Sequence, residues 1–550
     1  MKRKLFSPVF ILCVWSIALR AIVYILLPPA KEMEQYAGTD LLFFSGLTEH
    51  FSDYISHITL IPPLSYIINA FVFLIFGIQK ALHIRAFLVM VSVMDIVAVL
   101  FLFDASKKAG ANKTTSFYLL GFFSAALIPF ELWREGMFYD QHTILFVSFF
   151  AWSLVGFIKK NDSYKNMAWI SVAGGLLVAQ SAVNSAVVPL SIILIMGFIY
   201  VPIKQFRKLS VAIVISLFLP VMLLFLISRK NKMVGEEALT SNKAGPAMMM
   251  VVQRSYDYND AKIRQVIKEC GAPEWYLWTY DHASSSVDKA TGKADNTFFI
   301  LSQAFGICFY ADSLVGKAGP FGFDFHPLLN HLRQNDSSAS FIRLVKQDSA
   351  DALYKPYRFA GYSYSLAPRW IGIYGDVSKK IYFKNLLKNP SGMLKSFVIH
   401  QGIFSIYGPL FPYNTLKDKS ETNLLVRAGL KTIPGKIPLD FFFSFLTLVF
   451  AVLGWVTYGI ILLNIPVSVI RWLKNKEMRN PGSEKNYFFL INIPVILVAL
   501  VYSCIVGGEN DRYFMQITPY IMILATLLPV WYKGIKELAR NNIADNISKA

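Results

Sequence analysis

The stretch Arg20-Ala21-Ile22-Val23-Tyr24-Ile25-Leu26-Leu27-Pro28-Pro29 closes one apolar span, and the sharp change of composition just beyond it decides the fold. The chain empties into a segment carrying Glu32, Glu34, Asp40, Glu49 and Asp53, then re-enters apolar sequence at Ile61-Pro62-Pro63-Leu64. That layout sets carboxylates at a membrane surface. Lys2, Arg3 and Lys4 precede the first span. An excess of positive charge holds its flank in the cytoplasm, so the acidic loop is expected on the opposite side.

Composition agrees. Of 550 residues, 55% are hydrophobic and 16% charged, more apolar surface than a soluble core of this length can hide. The predicted class is a polytopic α-helical membrane protein of about 10 to 12 transmembrane helices with a mixed extracytoplasmic domain. Phe, Tyr and Trp make up 15%, as aromatic belts at both interfaces require. The net charge of +19 does not indicate nucleic acid, because Lys and Arg gather at the ends of apolar runs: Lys107 with Lys108, Lys159 with Lys160, Lys204 to Lys208 and Arg471 to Arg479. Cys13, Cys270, Cys308 and Cys504 are too scattered for a metal cluster or a disulfide framework, although Cys270 and Cys308 share the large polar segment and could pair there. The first apolar run is long for a signal peptide and lacks a small-x-small cleavage site, so it reads as a retained signal anchor.

Apolar runs able to cross a bilayer fall near 9–28, 84–105, 115–131, 141–158, 167–183, 185–202, 209–228, 439–464, 487–506 and 513–532. With these as spans, the positive clusters all fall on the cytoplasmic side. The parity holds if 61–77, which opens on Pro62-Pro63, lies in the interface or re-enters, or if both it and Leu394 to Tyr407 cross. The expected organisation is an N-terminal membrane module over 1–228, an extracytoplasmic domain over 229–437, C-terminal membrane helices over 438–540 and a tail over 541–550. The middle domain is too rich in Tyr and Trp for a disordered linker, and helical stretches are expected at Asp260 to Cys270 and Tyr382 to Gln401. No internal repeat is visible.

Three charged breaks fall on the outer face. In Tyr36-Ala37-Gly38-Thr39-Asp40-Leu41-Leu42-Phe43-Phe44, a carboxylate stands where it is partly desolvated and can take a proton from an incoming hydroxyl. Asp40 also suits a helix N-cap, and the two roles can coexist. In Trp133 to His142, the polar residues Arg134, Asp140 and His142 stand close to hydrocarbon, where they need partners or a function. In Gly507-Gly508-Glu509-Asn510-Asp511-Arg512-Tyr513, the guanidinium of Arg512 could hold a lipid-linked phosphate, or pair with Glu509 or Asp511. Gln180 and Asn184 mark an outer turn, where they could meet that phosphate or bond backbone carbonyls. Asp324-Phe325-His326 and Tyr256-Asp257-Tyr258 could line an acceptor groove.

In these pieces the chain resembles the GT-C superfamily of polyprenyl-phosphate-sugar-dependent glycosyltransferases, which includes protein O-mannosyltransferases and the lipid A aminoarabinose transferase. The resemblance rests on Asp40, on Pro62 to Leu64 followed by Phe76-Gly77 and Arg85, on Tyr139-Asp140, and on Arg512-Tyr513 with Pro519. It covers roughly the first 230 residues and the last 70. Leu41 and Ile61 stand where the family often has an acid and a base, with His57 or Glu49 as replacements. The resemblance implies transfer of a sugar from a polyprenyl phosphate to an acceptor hydroxyl on a glycan, lipid or protein, with inversion. It implies Asp40 as general base, with Arg134, Asp140, His142, Gln180, Glu509 and Arg512 around donor and acceptor. It implies no certain cofactor; a divalent metal stays open, with Asp140, Glu49 and His57 as its candidate ligands. The setting it implies is a bacterial inner membrane with the site facing the periplasm or exterior.

The rival readings are a transporter or flippase of lipid-linked saccharides and a non-catalytic envelope assembly protein. Transporters are commonly built from repeats and rarely carry some 200 residues in one loop. The absence of a P-loop, zinc spacing or Gly-x-Ser-x-Gly element argues against a nucleotide-driven pump.

Overall fold

The computed structural model describes residues 7–26, 64, 67–68, 71, 74–75, 80–133, 142–159, 164–180, 187–200, 206–233, 244–273, 276–277, 280, 287–288, 293–294, 358–359, 362–363, 366–410, 445–446, 448–462, 484–506, 514–530 and 532. In chain order the first helices are α1 (Pro8–Leu26), α2 (Lys80–Lys108), α3 (Lys113–Trp133), α4 (Thr143–Lys159), α5 (Tyr164–Gln180), α6 (Val187–Tyr200) and α7 (Phe206–Met233). Local causes are visible at their ends. Ser7 caps α1 by accepting from the Phe10 N–H at 3.2 Å, with Pro8 preset for the first helical position. Gly110, at φ 94, lets α2 turn back into α3, whose start is capped by Asn112 Oδ1 on the Thr114 N–H at 2.8 Å.

These helices put apolar side chains outward. Val14, Ile17, Ile22 and Ile25 on α1 and Val214, Phe218 and Phe225 on α7 are exposed, while Ser16, Arg20, Asp95, Ser124 and Glu131 are buried. Water would penalise that arrangement and lipid favours it, because apolar faces need no burial in hydrocarbon and polar groups must be satisfied inside. Each apolar run read from the sequence contains a helix. By length and composition, Pro8–Ile25, Leu88–Lys108 and Ile213–Asn231 can each cross a bilayer. Lys113–Ile128, Thr143–Lys159, Leu448–Leu462, Ile491–Ile505 and Phe514–Val530 are shorter apolar helices.

α5 and α7 pack closely because α5 has no side chains at Gly174 and Gly175. A Cβ at Gly175 would lie 2.7 Å from Leu219 Cγ and 3.1 Å from Leu223 Cδ1. Pro220 withholds one hydrogen bond inside α7, and the adjacent Leu219 N–H donates to Ser171 Oγ of α5 at 3.1 Å. Gly175→Val is therefore expected to cost about 1 to 3 kcal/mol by overpacking. The readout is the thermal midpoint of the detergent-solubilised protein. Gly402→Ala, inside α11 (Pro390–Tyr407) with nothing within 4 Å of the added carbon, should hold that midpoint or raise it, since Ala favours a helix over Gly.

The middle of the chain adds α8 (Ala244–Ser255), α9 (Asp260–Glu269), α10 (Leu366–Lys388) and α11 (Pro390–Tyr407). Two short antiparallel ladders, Val287–Asp288 with Lys293–Ala294 and Arg358–Phe359 with Tyr362–Ser363, complete the described part of this region. α9 agrees with the stretch expected at 260–270. The stretch expected at 382–401 is instead parts of two helices, because Pro390 restarts the chain and Asn389, at φ −132, caps the restart by accepting from the Gly392 N–H at 3.1 Å. Cys270 is a free, buried thiol just past the end of α9, and Cys308, its candidate partner, lies outside the described residues. The last helices are α12 (Leu448–Leu462), α13 (Glu484–Val501, extended by a π turn at Tyr502–Val506) and α14 (Phe514–Val530). α11 lies antiparallel along α12: the Trp455 Nε1–H donates to the Ile406 carbonyl at 2.9 Å, and Gln401 reaches the Tyr458 hydroxyl. Its Phe404 is part of the same buried core as Phe123, Phe450 and Phe514.

Candidate functional site

Arg20 of α1 is the centre of the polar interior. Its Nε donates to Glu131 Oε1 at 2.9 Å and its second terminal nitrogen reaches the same oxygen at 2.5 Å; the pair is 3% and 0% exposed. Its other terminal nitrogen donates to Ser124 Oγ at 2.9 Å and to the Ser16 carbonyl at 3.2 Å. Glu131 Oε2 also accepts from the Tyr24 hydroxyl at 2.5 Å and from Ser92 Oγ of α2 at 3.1 Å. Two opposite charges in a dry interior are tolerable only when their remaining hydrogen-bonding capacity is met. Here the two serines, the tyrosine and a backbone carbonyl meet it.

This network also anchors the chain on either side of it. Arg20 stands in the last third of α1, and Glu131 two residues before the end of α3. A charge-assisted, many-armed junction therefore pins the roots from which 27–63 and 134–141 leave. The next root is beside it in sequence. His142 and Thr143 open α4 in buried positions, and Gln180 at the end of α5 donates its Nε2–H to Thr143 Oγ1 at 3.0 Å. The structure thus brings Gln180 to Thr143, with His142 adjacent, although the sequence places His142 and Gln180 in separate outer turns.

At the other end of the same helices, Asp104 accepts from Lys108 at 2.6 Å and from Trp152 Nε1–H at 2.7 Å. Lys108 lies 4.2 Å from the Trp152 ring centroid. This partly exposed cluster reads as an interfacial anchor of aromatic and cationic groups.

Asp40, Glu49, His57, Arg134, Asp140, Asn184, Glu509 and Arg512 lie outside the described residues, as do Asp324 and His326. Among the described residues no group of three or more His, Cys, Asp or Glu side chains could hold a metal, and the candidate ligands Asp140, Glu49 and His57 fall outside them. The cluster Tyr256-Asp257-Tyr258, read as a candidate acceptor groove, is a turn tied to its surroundings. Tyr256 donates to Asn385 Oδ1 at 2.6 Å, Asp257 pairs with Lys395 at 2.8 Å, and the Tyr258 hydroxyl accepts from Arg254 Nε–H at 2.8 Å. Asp257 and Tyr258 both sit at positive φ (54 and 58), a conformation these side-chain bonds and the Tyr258 N–H to Gln253 carbonyl bond hold in place.

Sequence reasoning gave no role to Arg20, Asp95 or Glu131. For Arg20 and Asp95 the signal was present: an ionisable residue inside an otherwise apolar run is a functional or paired residue by default. What the sequence does not carry is that Arg20 and Glu131, more than a hundred positions apart, meet.

No family model matches the chain, and no curated protein matches it. Among solved structures, the chain is similar to the apo form of the Archaeoglobus fulgidus oligosaccharyltransferase, at 11% sequence identity and TM-score 0.40, over 98% of this chain and 52% of that one. The chain therefore spans about half the length of that neighbour. A likeness of this size carries neither fold nor chemistry.

Proposed function

We propose that the chain is an integral membrane glycosyltransferase that takes a sugar from a polyprenyl phosphate and gives it to an acceptor hydroxyl on the extracytoplasmic face, with inversion. The observation that supports it is the buried Arg20–Glu131 junction, which roots the Asp40 segment and the Arg134–Asp140 segment at one end of one bundle. That end lies away from Lys107 and Lys108, as the charge rule asks of an outer face. A lipid-linked sugar stays in the bilayer and needs a cleft at its edge. The leaving phosphate is already a stable anion and needs no general acid, so one base and one or two cations suffice. Asp40 serves as base, Arg512 and Arg134 clamp the phosphate, and Asp140 contacts the acceptor or a metal. His142 and Gln180, at the same end, orient the donor. The spans between these loops are those read from the sequence, and 229–437 lies on the side of the site.

The test is turnover in proteoliposomes with a panel of polyprenyl-phosphate sugars. Transfer with inverted anomeric configuration is expected; movement of an uncleaved lipid-linked sugar across the bilayer would instead make the chain a flippase. A second measurement addresses the clamp. Loss of a bidentate guanidinium from a partly dry cleft costs about 2 to 4 kcal/mol, so Arg512→Gln should weaken donor binding accordingly, with Arg512→Lys recovering part. If Arg512 only pairs with Glu509, then Glu509→Gln and Arg512→Gln will be equally damaging to stability and donor affinity will stay unchanged in both.

A further inference from the structure

The lysine-bearing ends of α2, α4 and α5 share a cluster of aromatic rings on the outside of the bundle. Phe101 of α2 lies 5.1 Å from Phe149 and 5.4 Å from Trp152, both of α4. Trp169 of α5 lies 5.8 Å and 6.2 Å from the same two rings. None of the four is fully buried, and Trp169 is 39% exposed. Asn166 fixes α5 on α4 beside them, its Nδ2–H donating to the Gly156 carbonyl at 2.9 Å. Val97, Val93 and Val89 are exposed and continue from Phe101 at four-residue spacing, which is one face of α2. From Phe101 to Val89 that face runs about 18 Å by the helical rise, enough for one acyl chain to follow through a leaflet of about 15 Å.

At the polar edge of the rings one carboxylate holds both a ring and a cation. Asp104 Oδ2 accepts from the Trp152 Nε1–H at 2.7 Å and pairs with Lys108 at 2.6 Å, and Lys108 lies 4.2 Å from the centroid of the Trp152 ring. An ammonium has three N–H donors, so the bond to Asp104 leaves Lys108, 33% exposed, with donors for a further oxygen. A belt that serves topology alone needs rings and lysines near the boundary, each free to move. Here ring and cation are fixed in one arrangement beforehand, which lowers the ordering cost of binding. Lys107, Lys113, Lys159 and Lys165 stand exposed on the same helix ends, and Asp104 is the one acid among the described residues there.

We propose that this face of α2, α4 and α5 is a binding site for an anionic phospholipid of the leaflet on the lysine side, cytoplasmic by the charge rule. The phosphate sits at Lys107 and Lys108, and one acyl chain runs over Phe101, Phe149 and Trp169 and along the valines. Charge complementarity selects this occupant. A zwitterionic lipid offers the same chains and no net charge to the lysines, whereas each lysine near the surface contributes about fivefold toward an anionic headgroup. The site is independent of the glycosyltransferase reading, whose residues are proposed for the opposite end of the bundle.

The test uses the full-length protein in mild detergent, with phosphatidylglycerol and phosphatidylcholine of identical chains as probes and native mass spectrometry to count bound lipid. The parent should hold at least one phosphatidylglycerol about 10-fold or more tightly than phosphatidylcholine. Lys107→Gln/Lys108→Gln should bring the two lipids within about threefold of each other. Lys262→Gln/Lys268→Gln, which removes the same charge from exposed positions on α9, should keep the parental preference. No preference in the parent, a preference that survives in Lys107→Gln/Lys108→Gln, or an equal loss in the α9 variant would overturn the site. A second measurement needs no lysine variant. In nanodiscs, the emission that disappears in Trp152→Phe/Trp169→Phe should be quenched more by phosphatidylglycerol with brominated chains than by the same amount of brominated phosphatidylcholine. Equal quenching would mean that lipid meets these rings without selection, and would sink the proposal.

Discussion

Asp40→Asn is expected to lower turnover by about 100-fold or more while donor binding survives, because the change keeps the shape of the side chain and removes only its ability to take the acceptor proton. In the proposed site donor affinity depends on cations facing the phosphate, so removal of one negative charge from the proposed base should not weaken it. The competing role for Asp40 gives a different outcome. An N-cap carboxamide holds the first turn of a helix nearly as well as a carboxylate, so a capping residue would tolerate Asn with little change in rate or stability. A kcat within about threefold of the parent rejects Asp40 as base and passes the role to Glu49 or Asp53, other acids of the same segment. A pH–rate profile separates the roles further. With Asp40 intact, kcat/KM should fall on the acid side as the base is protonated; in Asp40→Asn that limb should disappear.

The apolar runs of the sequence were a good guide to the helices because a bilayer-length run of Leu, Ile, Val and Phe has few alternatives to a helix once its backbone leaves water. α1, α3, α4 and α7 begin and end within a few residues of the runs that predict them. The break at Asn389-Pro390 was legible too, from a cap residue before a proline, but the apolar period of 382–401 continues across it and hid it. Partners were not legible. Nothing local distinguishes Glu131, in Pro129-Phe130-Glu131-Leu132, from an acid at an exposed helix end; its meaning comes from Arg20, Tyr24 and Ser92 on two other helices. The same holds for Tyr256-Asp257-Tyr258, whose side chains look like groove residues in sequence and are each committed to a contact in the fold. The acids and cations proposed for chemistry were legible for the opposite reason: they stand in polar breaks flanked by apolar spans, where cost alone marks them.

The Arg20–Glu131 junction should be costly to break and cheap to replace. Glu131→Ala leaves a buried guanidinium with only the more distant charge of Asp95 and takes the acceptor from Tyr24 and Ser92; removing one member of a buried pair costs about 3 to 5 kcal/mol. Arg20→Ala strands the carboxylate in the same way. The double variant Arg20→Met/Glu131→Leu removes both charges, and the hydroxyls of Tyr24, Ser124 and Ser92 keep partners in Ser92 Oγ, Ser16 Oγ and the Leu88 carbonyl. The double variant should then lose less stability than the sum of the singles, with a coupling of about 2 kcal/mol or more from the thermal or denaturant midpoints in detergent. Additive losses would mean that the two side chains are neighbours without being partners. Glu131→Gln separates charge from shape, since it keeps an acceptor for Tyr24 but cannot neutralise Arg20, and should fall between parent and Glu131→Ala. The functional consequence comes from position. Because the junction roots the segments of Asp40 and of Arg134 with Asp140, a folded double variant should show a lowered kcat at donor saturation, since base and acceptor contacts are no longer held in register. A double variant that folds and retains parental kcat would show that these roots do not set the geometry of the site, and would leave the ion pair as a contributor to stability alone.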